Sequence, residues 1–464
     1  MAQTRAVLDS VRHQPTASQA VAAAADLHAR TGMTAGNGSL MRTAPVALAY
    51  LDDEAALWQA AQRISSLTHF DPEAGEACAL WCLAIRSAIW HGTYDGLRAA
   101  LELLPAVRKD IWAARLDEAE TSQPWQFPKN GWVVHALQSS WSAVSTTPDH
   151  AFAPALHLFP AQSAAVAIER AVRAGHDTDT VAAIAGSLVG ARWGMSALPL
   201  RWTSVVHGFH EVRAGRASGM RANALQHLSY QVAEHGTGAL PESFKPAGTA
   251  PQALVTIPGV DGLLLGGHAE MADADLRGAG VVSLSRVGVN EAAEAARHAS
   301  VFVLDQPAPD VNPHLHFSLL DVTRTIHEWR TQGPVVLHCV MAHNRTPTYA
   351  VAYLVTQCGW SLEPAVSAVR EALPQAQLAE HLLGAVRDLP STDGSQPALL
   401  ENRAELLWSR ERGTALYAVT PGRTLRRHNG VWCDSDEPTD GLEPASWDAV
   451  AEFDEMQRSR GVIR

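Results

Sequence analysis

Apolar residues recur at helical spacing through the first half of the chain. Ala-rich amphipathic runs cover residues 17–30, 54–67, 73–90, 94–104, 131–144 and 161–174. Turn formers separate them at Gly36-Asn37-Gly38, Asp71-Pro72 and Pro128-Lys129-Asn130-Gly131. In the run 180–194, Gly186, Gly190 and Gly194 fall at i, i+4 and i+8, and this bare face predicts a closely packed neighbouring helix. Residues 1–235 therefore read as all-helical. Residues 236–253 are rich in Gly, Pro and Ser and read as a linker. Beyond them the period changes. Short buried strands are predicted at 255–257, 262–265, 281–284 and 301–304, with helices at 269–279, 290–298 and 319–331. This alternation predicts an α/β domain with a mostly parallel sheet over 254–390. A Ser/Asp/Gly/Pro stretch, 390–397, marks another boundary. The small C-terminal module, 396–464, offers a strand at 414–420, a tight turn at Asn429-Gly430 and a short acidic helix at 447–456. The fold class expected is thus multidomain: an all-α domain, an α/β domain and a small module of unknown role.

Composition narrows the classes. The chain has 464 residues, 47% of them hydrophobic and 18% charged, which suits compact domains with sizeable cores. A net charge of −12 without a basic block argues against a nucleic-acid partner. Five scattered cysteines suggest a reducing compartment and no disulfide framework. Cys78 and Cys82, at i,i+4 in an apolar stretch, read as core residues or, alternatively, a metal pair. No leader or membrane-spanning run is visible, so a soluble cytoplasmic protein with no membrane partner is expected.

The densest chemistry lies at His338-Cys339-Val340-Met341-Ala342-His343-Asn344-Arg345-Thr346. A strand-forming run, 334–337, leads into Cys339 and a helical run, 347–354, follows Arg345. Such a loop aims backbone N–H groups inward at a helix N-terminus and holds an anion by oriented dipoles. The same field favours a thiolate, the nucleophilic form of Cys339. Arg345 can fork two hydrogen bonds onto phosphoryl oxygens. The Thr346 hydroxyl is placed to bond the thiolate. A general acid is also needed. Asp305, 34 residues before Cys339, is favoured over Asp310, five residues further on the same loop.

These residues resemble the dual-specificity and tyrosine phosphatase family over about 252–390, with weaker support from Gly262-Leu263-Leu264-Leu265-Gly266. The resemblance implies that Cys339 forms a phosphocysteine, that Arg345 and His338 bind at the phosphate site, that Asp305 is acid and then base, and that no cofactor is needed. His343 would be a rim residue. The chain departs from the family at Ala342, where Gly is usual, and at Asn344, where Ser is usual. Glycine at 342 would let the backbone curl freely; a Cβ constrains it.

A second signature is Gly175-His176-Asp177-Thr178-Asp179-Thr180. One reading is a helix N-cap. The other is a set of oxygen ligands for a hard cation such as Mg²⁺. With Gly36-Asn37-Gly38-Ser39-Leu40-Met41-Arg42, Thr68-His69-Phe70-Asp71-Pro72-Glu73-Ala74, Asn130-Gly131-Trp132-Val133-Val134-His135 and residues 194–202, it resembles the ADP-ribosylglycohydrolase family over about 20–215. The resemblance implies Asp177, Asp179 and Thr180 as Mg²⁺ ligands and Asn37, Gly38, Ser39 and His69 lining an ADP-ribose cleft. The metals would position the ribose and polarise the attacking water. The family's Thr-Asp-Asp-Thr motif and its Gly-Asp-Ala-Leu-Gly-like start do not occur here. That leaves half a metal site, or points to a start assigned too late. The expected activity is a bifunctional hydrolase acting on phosphorylated and ADP-ribosylated proteins or small molecules. The alternative is a phosphatase carrying a degenerate ADP-ribose-binding module.

Overall fold

A computed structural model describes residues 2–13, 15–213, 216–234, 253–288, 292–308, 310–389 and a set of strands between 405 and 445. The chain divides into two compact units. The first holds residues 1–147, 163–194 and 226–239; the second holds 148–162, 195–225 and 240–464. The expected boundary near 235–254 is therefore crossed twice. The physical cause is apolar: Phe159 and Leu200 are buried in the same cluster as the strands of the α/β sheet. The Leu200 N–H also donates to the Asp321 carboxylate at 2.7 Å.

The first unit includes the helices α1 Ala2–Ser10, α2 Ala17–Thr31, α3 Ala44–Ala49, α4 Glu54–Ser66, α5 Pro72–His91, α6 Gly96–Ala99, α7 Ala106–Thr121, α8 Val133–Ser145, α9 Gln162–Val172 and α10 Thr178–Trp193. Local chemistry sets their ends. The Asp71 side chain accepts from the Glu73 N–H, Pro72 opens α5, and Gly92 closes it at a φ of 67°. Helix α5 is buried nearly all round, and Cys78 and Cys82 are fully buried within it. The Thr43 hydroxyl donates to the Cys78 sulfur at 3.3 Å. Both cysteines are core residues. The bare face of α10 is a correction: a Cβ on Gly190 would meet nothing within 4 Å, and one on Gly186 would make ordinary contact with Ile168. Helix α10 packs through Val181, Ile184, Ala185, Leu188 and Val189 instead. The Trp81 indole anchors it by donating to the Ile184 carbonyl.

The expectation of helix throughout 1–235 also fails. After α11 (Leu200–Thr203), strands β1 (His207–Arg213) and β2 (Arg216–Arg221) pair antiparallel, before α12 (Ala222–Ala233). Gly208 and Gly219 lower the helix propensity of this stretch.

The α/β sheet has the order β3-β4-β7-β5-β6, from Val255–Ile257, Val260–Gly266, Val335–His338, Gly280–Ser283 and Arg297–Ser300. Only β3 runs antiparallel. β5 and β7, at the centre, are buried at every position, as apolar strands covered on both faces must be. Helices α13 (His268–Ala272), α14 (Leu315–Arg330), α15 (Arg345–Cys358), α16 (Leu362–Ala372) and α17 (Glu380–Arg387) complete it. The helix expected at 290–298 and the strand expected at 301–304 give way to β6 at Arg297–Ser300. Cross-strand polar pairing explains the shift: His298 lies 3.0 Å from the Ser283 hydroxyl on β5. A second, antiparallel sheet has the order β11-β10-β9-β8-β12, from Val431–Asp434, Arg423–His428, Ala415–Thr420, Glu405–Ser409 and Glu443–Ala445. Strand β9 meets the strand expected at 414–420. Asn429-Gly430 and the helix expected at 447–456 lie outside the described residues. Among the described residues, no helix is long and apolar enough to cross a membrane.

β4 delivers Gly266 and Gly267 directly beneath the Cys339 loop. A Cβ on Gly267 would sit 2.8 Å from the Val340 carbonyl oxygen, closer than real Cβ atoms approach backbone. The substitution Gly267→Ala is expected to destabilise the α/β unit by about 1–3 kcal/mol through overpacking, measured as a lower urea midpoint at unchanged m-value.

Candidate active sites

Strand β7 ends at His338, and the chain turns through Cys339–Asn344 into α15. His338 is fully buried. Its Nε2 lies 2.7 Å from the Ser283 hydroxyl, and its Nδ1 lies 3.3 Å from the Cys339 carbonyl. Burial pushes the imidazole down to about 3, with the neighbouring His268 adding to the effect, so the ring is neutral. His338 is thus a strut behind the loop, which corrects its assignment as a phosphate-site contact: a fully buried ring cannot touch an incoming substrate.

The loop turns its carbonyls outward. The Val340 carbonyl accepts from the His268 N–H at 3.0 Å, and the His343 carbonyl accepts from the Gln377 N–H at 2.8 Å. Among the described residues, no group accepts from the amides of residues 340–346. Five of these seven residues are half-buried and the last two open a helix, so the unused amides form an arrangement that receives an anion. Ala342 adopts a φ of +53°, the left-handed region that glycine occupies freely. The curl therefore forms in spite of the Cβ, at a cost of about 1–2 kcal/mol.

Cys339 is 2% exposed at the base of the loop. Arg345 is tethered through Nη1, which donates to the carbonyls of Val303 at 3.0 Å and Leu284 at 3.3 Å. Its Nε is buried without a partner. A cavity of about 600 Å³ opens beside Arg345 and Val340, walled by Val287, Phe302, Leu304 and Val311. The Thr346 hydroxyl donates to the Gly266 carbonyl at 3.2 Å. This corrects the expected bond to the Cys339 sulfur: the buried carbonyl at the end of β4 takes the proton. The Asp305 carboxylate meets the loop, since Asn344 Nδ2 donates to its Oδ2 at 3.0 Å. His381 Nε2 lies 3.3 Å from the other oxygen. Asp310 is exposed and makes no hydrogen bond or ion pair among the described residues. Asn344 and His381 went unassigned in the sequence. Asn344 stood out only as a departure from the family pattern, and nothing local marked His381.

In the helical unit, Asn37 joins three loops. Its Nδ2 donates to the Asn130 carbonyl at 2.7 Å and to Asp177 Oδ2 at 2.6 Å. Asn130 returns the link by accepting from the Asp177 N–H at 3.1 Å. Gly36 and Gly38 are needed by a neighbouring ring: a Cβ on either would lie 3.2–3.3 Å from the His69 imidazole. His69 is itself buried, and burial with the nearby Arg42 lowers it to about 4. The Thr68 hydroxyl bridges Arg42 and His69 Nδ1 at 2.6 and 2.7 Å. Ser39 is fully buried against Cys78 and cannot line an open cleft, a second correction.

Two of the residues assigned to Mg²⁺ also bond other side chains. Asp177 is engaged by Asn37, and the Thr180 hydroxyl faces the Met41 sulfur at 3.7 Å. Asp179 is exposed. No group of three His, Cys, Asp or Glu converges among the described residues. Magnesium demands near-octahedral oxygen ligation, which two carboxylates on one helix start do not provide.

Residues 2–234 match the ADP-ribosylglycohydrolase family model. The chain belongs to that family. Membership makes it a hydrolase. It is 30% identical over 177 residues to the ADP-ribosylarginine hydrolase Tri1 of Pseudomonas putida (strain GB-1), a match covering 37% of this chain. The chain spans 42% of that relative's length. An ADP-ribosylglycohydrolase-related protein complex shares 23% identity over 51% of this chain and 80% of the other, with a TM-score of 0.33. Human DUSP28 shares 22% identity over 30% of this chain and 95% of its own, with a TM-score of 0.26. The phosphatase domain of Yvh1 from Chaetomium thermophilum shares 22% over 29% and 93%, with a TM-score of 0.24. At such scores these likenesses carry no further weight.

His338 makes the stability of the α/β unit depend on pH. Its folded pKa, about 3, lies below the ordinary 6.5. Between those values the unfolded chain binds a proton that the folded chain refuses. Stability therefore falls as pH drops through 6.5, by about 1.4 kcal/mol per pH unit for this one group, and levels off below the folded value. Urea denaturation at pH 7, 6 and 5 should show this slope added to those of His150 and His157, which burial also lowers, and His338→Asn should reduce it.

Proposed function

We propose that the α/β unit hydrolyses phosphomonoesters through Cys339 and that the helical unit binds and removes ADP-ribosyl groups. The observation that supports the first half most directly is the run of unpaired amides from 340 to 346, with the neighbouring carbonyls turned away. Cys339, at the foot of that run, attacks phosphorus as a thiolate; the P–O bond breaks and a P–S bond forms. Asp305 gives its proton to the departing oxygen. It then takes a proton from water, the hydroxyl displaces sulfur, and inorganic phosphate leaves with the thiolate restored. Arg345 is held by Nη1, so its Nε and Nη2 edge is the fork left for two equatorial oxygens. A cysteine nucleophile of this kind needs a reducing compartment.

For the helical unit, the family and the ADP-ribosylarginine hydrolase relative support an ADP-ribosyl ligand, on arginine or on a small molecule. The Asn37–Asn130–Asp177 network is the polar feature that would meet it.

Purified protein assayed with an aryl phosphate and with ADP-ribosyl-arginine, each with and without Mg²⁺, tests both halves. Aryl phosphate turnover is expected without added metal. Cys339→Ser should abolish it, and Asp305→Asn should lower kcat by about 10²-fold or more for a poor leaving group. Turnover that survives Cys339→Ser refutes the cysteine mechanism. In calorimetry, Asp177→Ala should weaken ADP-ribose binding by about tenfold, the loss of one or two hydrogen bonds to a charged group; unchanged affinity removes the network from the site.

A further inference from the structure

Asn344 departs from the family pattern, and its surroundings give the departure a use. The side-chain amide makes two directed contacts. Its Oδ1 accepts from the backbone N–H of Ala379 at 3.0 Å. Its Nδ2 donates to Asp305 Oδ2 at 3.0 Å. A backbone N–H is only a donor and a carboxylate only an acceptor, so the amide has one orientation that satisfies both. Ala379 sits at the cap of α17, immediately after Leu378. Leu378 is buried and held at a φ of +53°, and its N–H and that of Gln377 both reach the His343 carbonyl. The 377–379 segment is therefore pinned to the cysteine loop on one side of Asn344, while Asp305 is drawn in on the other. His381, on the first turn of α17, approaches the second Asp305 oxygen at 3.3 Å.

The segment carrying Asp305 has little else to hold it there. Residues 301–308 form no ladder. The Val303 carbonyl is tied to Arg345, and Asn312 bonds the backbone of Leu304. Asp305 follows directly, exposed except on the face toward Asn344 and His381.

From this geometry we infer that Asn344 is a positioning residue: its amide holds Asp305 at the cysteine loop and selects it over Asp310 as the proton donor. The inference rests on the phosphatase reading above. Serine at this position has no atom that reaches both Ala379 and Asp305, so the asparagine supplies a link specific to this chain.

Asn344→Asp is the discriminating variant. It keeps the shape and an oxygen for the Ala379 N–H, but sets a carboxylate against Asp305 in place of a donor. Turnover is compared on nitrophenyl phosphate, whose leaving group needs little protonation, and on an alkyl phosphate, whose leaving group needs it fully. The expected result is a kcat loss of about tenfold or more on the alkyl ester and less than about twofold on the activated one. An equal loss on both esters, or no loss on either, overturns the inference. A second readout needs no turnover. Hydrogen exchange of residues 304–308 should accelerate in Asn344→Asp while that of 335–338 stays unchanged; unaltered exchange at 304–308 overturns it as well. If the unsubstituted protein cleaves neither ester, the phosphatase reading falls, and the exchange result alone decides whether Asn344 holds Asp305.

Discussion

A loop that leaves its amides unpaired survives only if its carbonyls are paired elsewhere. An unmatched buried amide costs free energy comparable to a lost hydrogen bond. Here the unused amides lie between Val340 and Thr346, in residues that are mostly half-buried, and neighbouring elements pair the loop's carbonyls. His268 and Gln377 take the loop's carbonyls, from opposite flanks. Gly267 lacks the Cβ that would strike the Val340 carbonyl. Ala342 and Leu378 both accept left-handed backbone, where side chains are rarely found. Strain of this kind persists only where the surroundings overdetermine it, and here three elements do so: the β4–α13 corner, the buried His338 strut and the entry to α17.

The helical unit solves a different problem with the same rule. Asn37, Asn130 and Asp177 bond one another across three loops. Asp177 Oδ2 accepts from the Asn37 amide, and the Thr180 hydroxyl donates to the Met41 thioether. The glycines at 36 and 38 similarly answer to the His69 ring, a neutral buried imidazole, and leave no spare room above it.

Both units carry histidines whose rings are buried and kept neutral, and neither uses them as proton carriers at the described contacts. In each case the imidazole fills space beside a glycine-bearing or cysteine-bearing loop and bonds a hydroxyl: Thr68 for His69, Ser283 for His338. Asp305 lies nearer the surface. It is reached only through Asn344 and His381, residues 39 and 76 positions away in the chain.

The sequence by itself determined the elements whose signals are local. Helix periodicity, the Asp71-Pro72 start of α5, the buried strands β5 and β7, and the strand-loop-helix around Cys339 were all legible, because spacing and capping act within a few residues. Family membership of the first 234 residues was legible from short polar motifs for the same reason. What only the tertiary structure decided were the matters settled between distant residues. The capture of 148–162 and 195–225 by the second unit depends on Phe159 and Leu200 finding an apolar core that starts at Ile257. The placing of β6 at 297–300 depends on a serine on another strand. The burial of His338 and Ser39, the diversion of the Thr346 proton to Gly266, and the contact of Asp305 with Asn344 each depend on which partner arrives. A polar group's role is set by the atom it ends up facing, and that atom is rarely its neighbour in the chain.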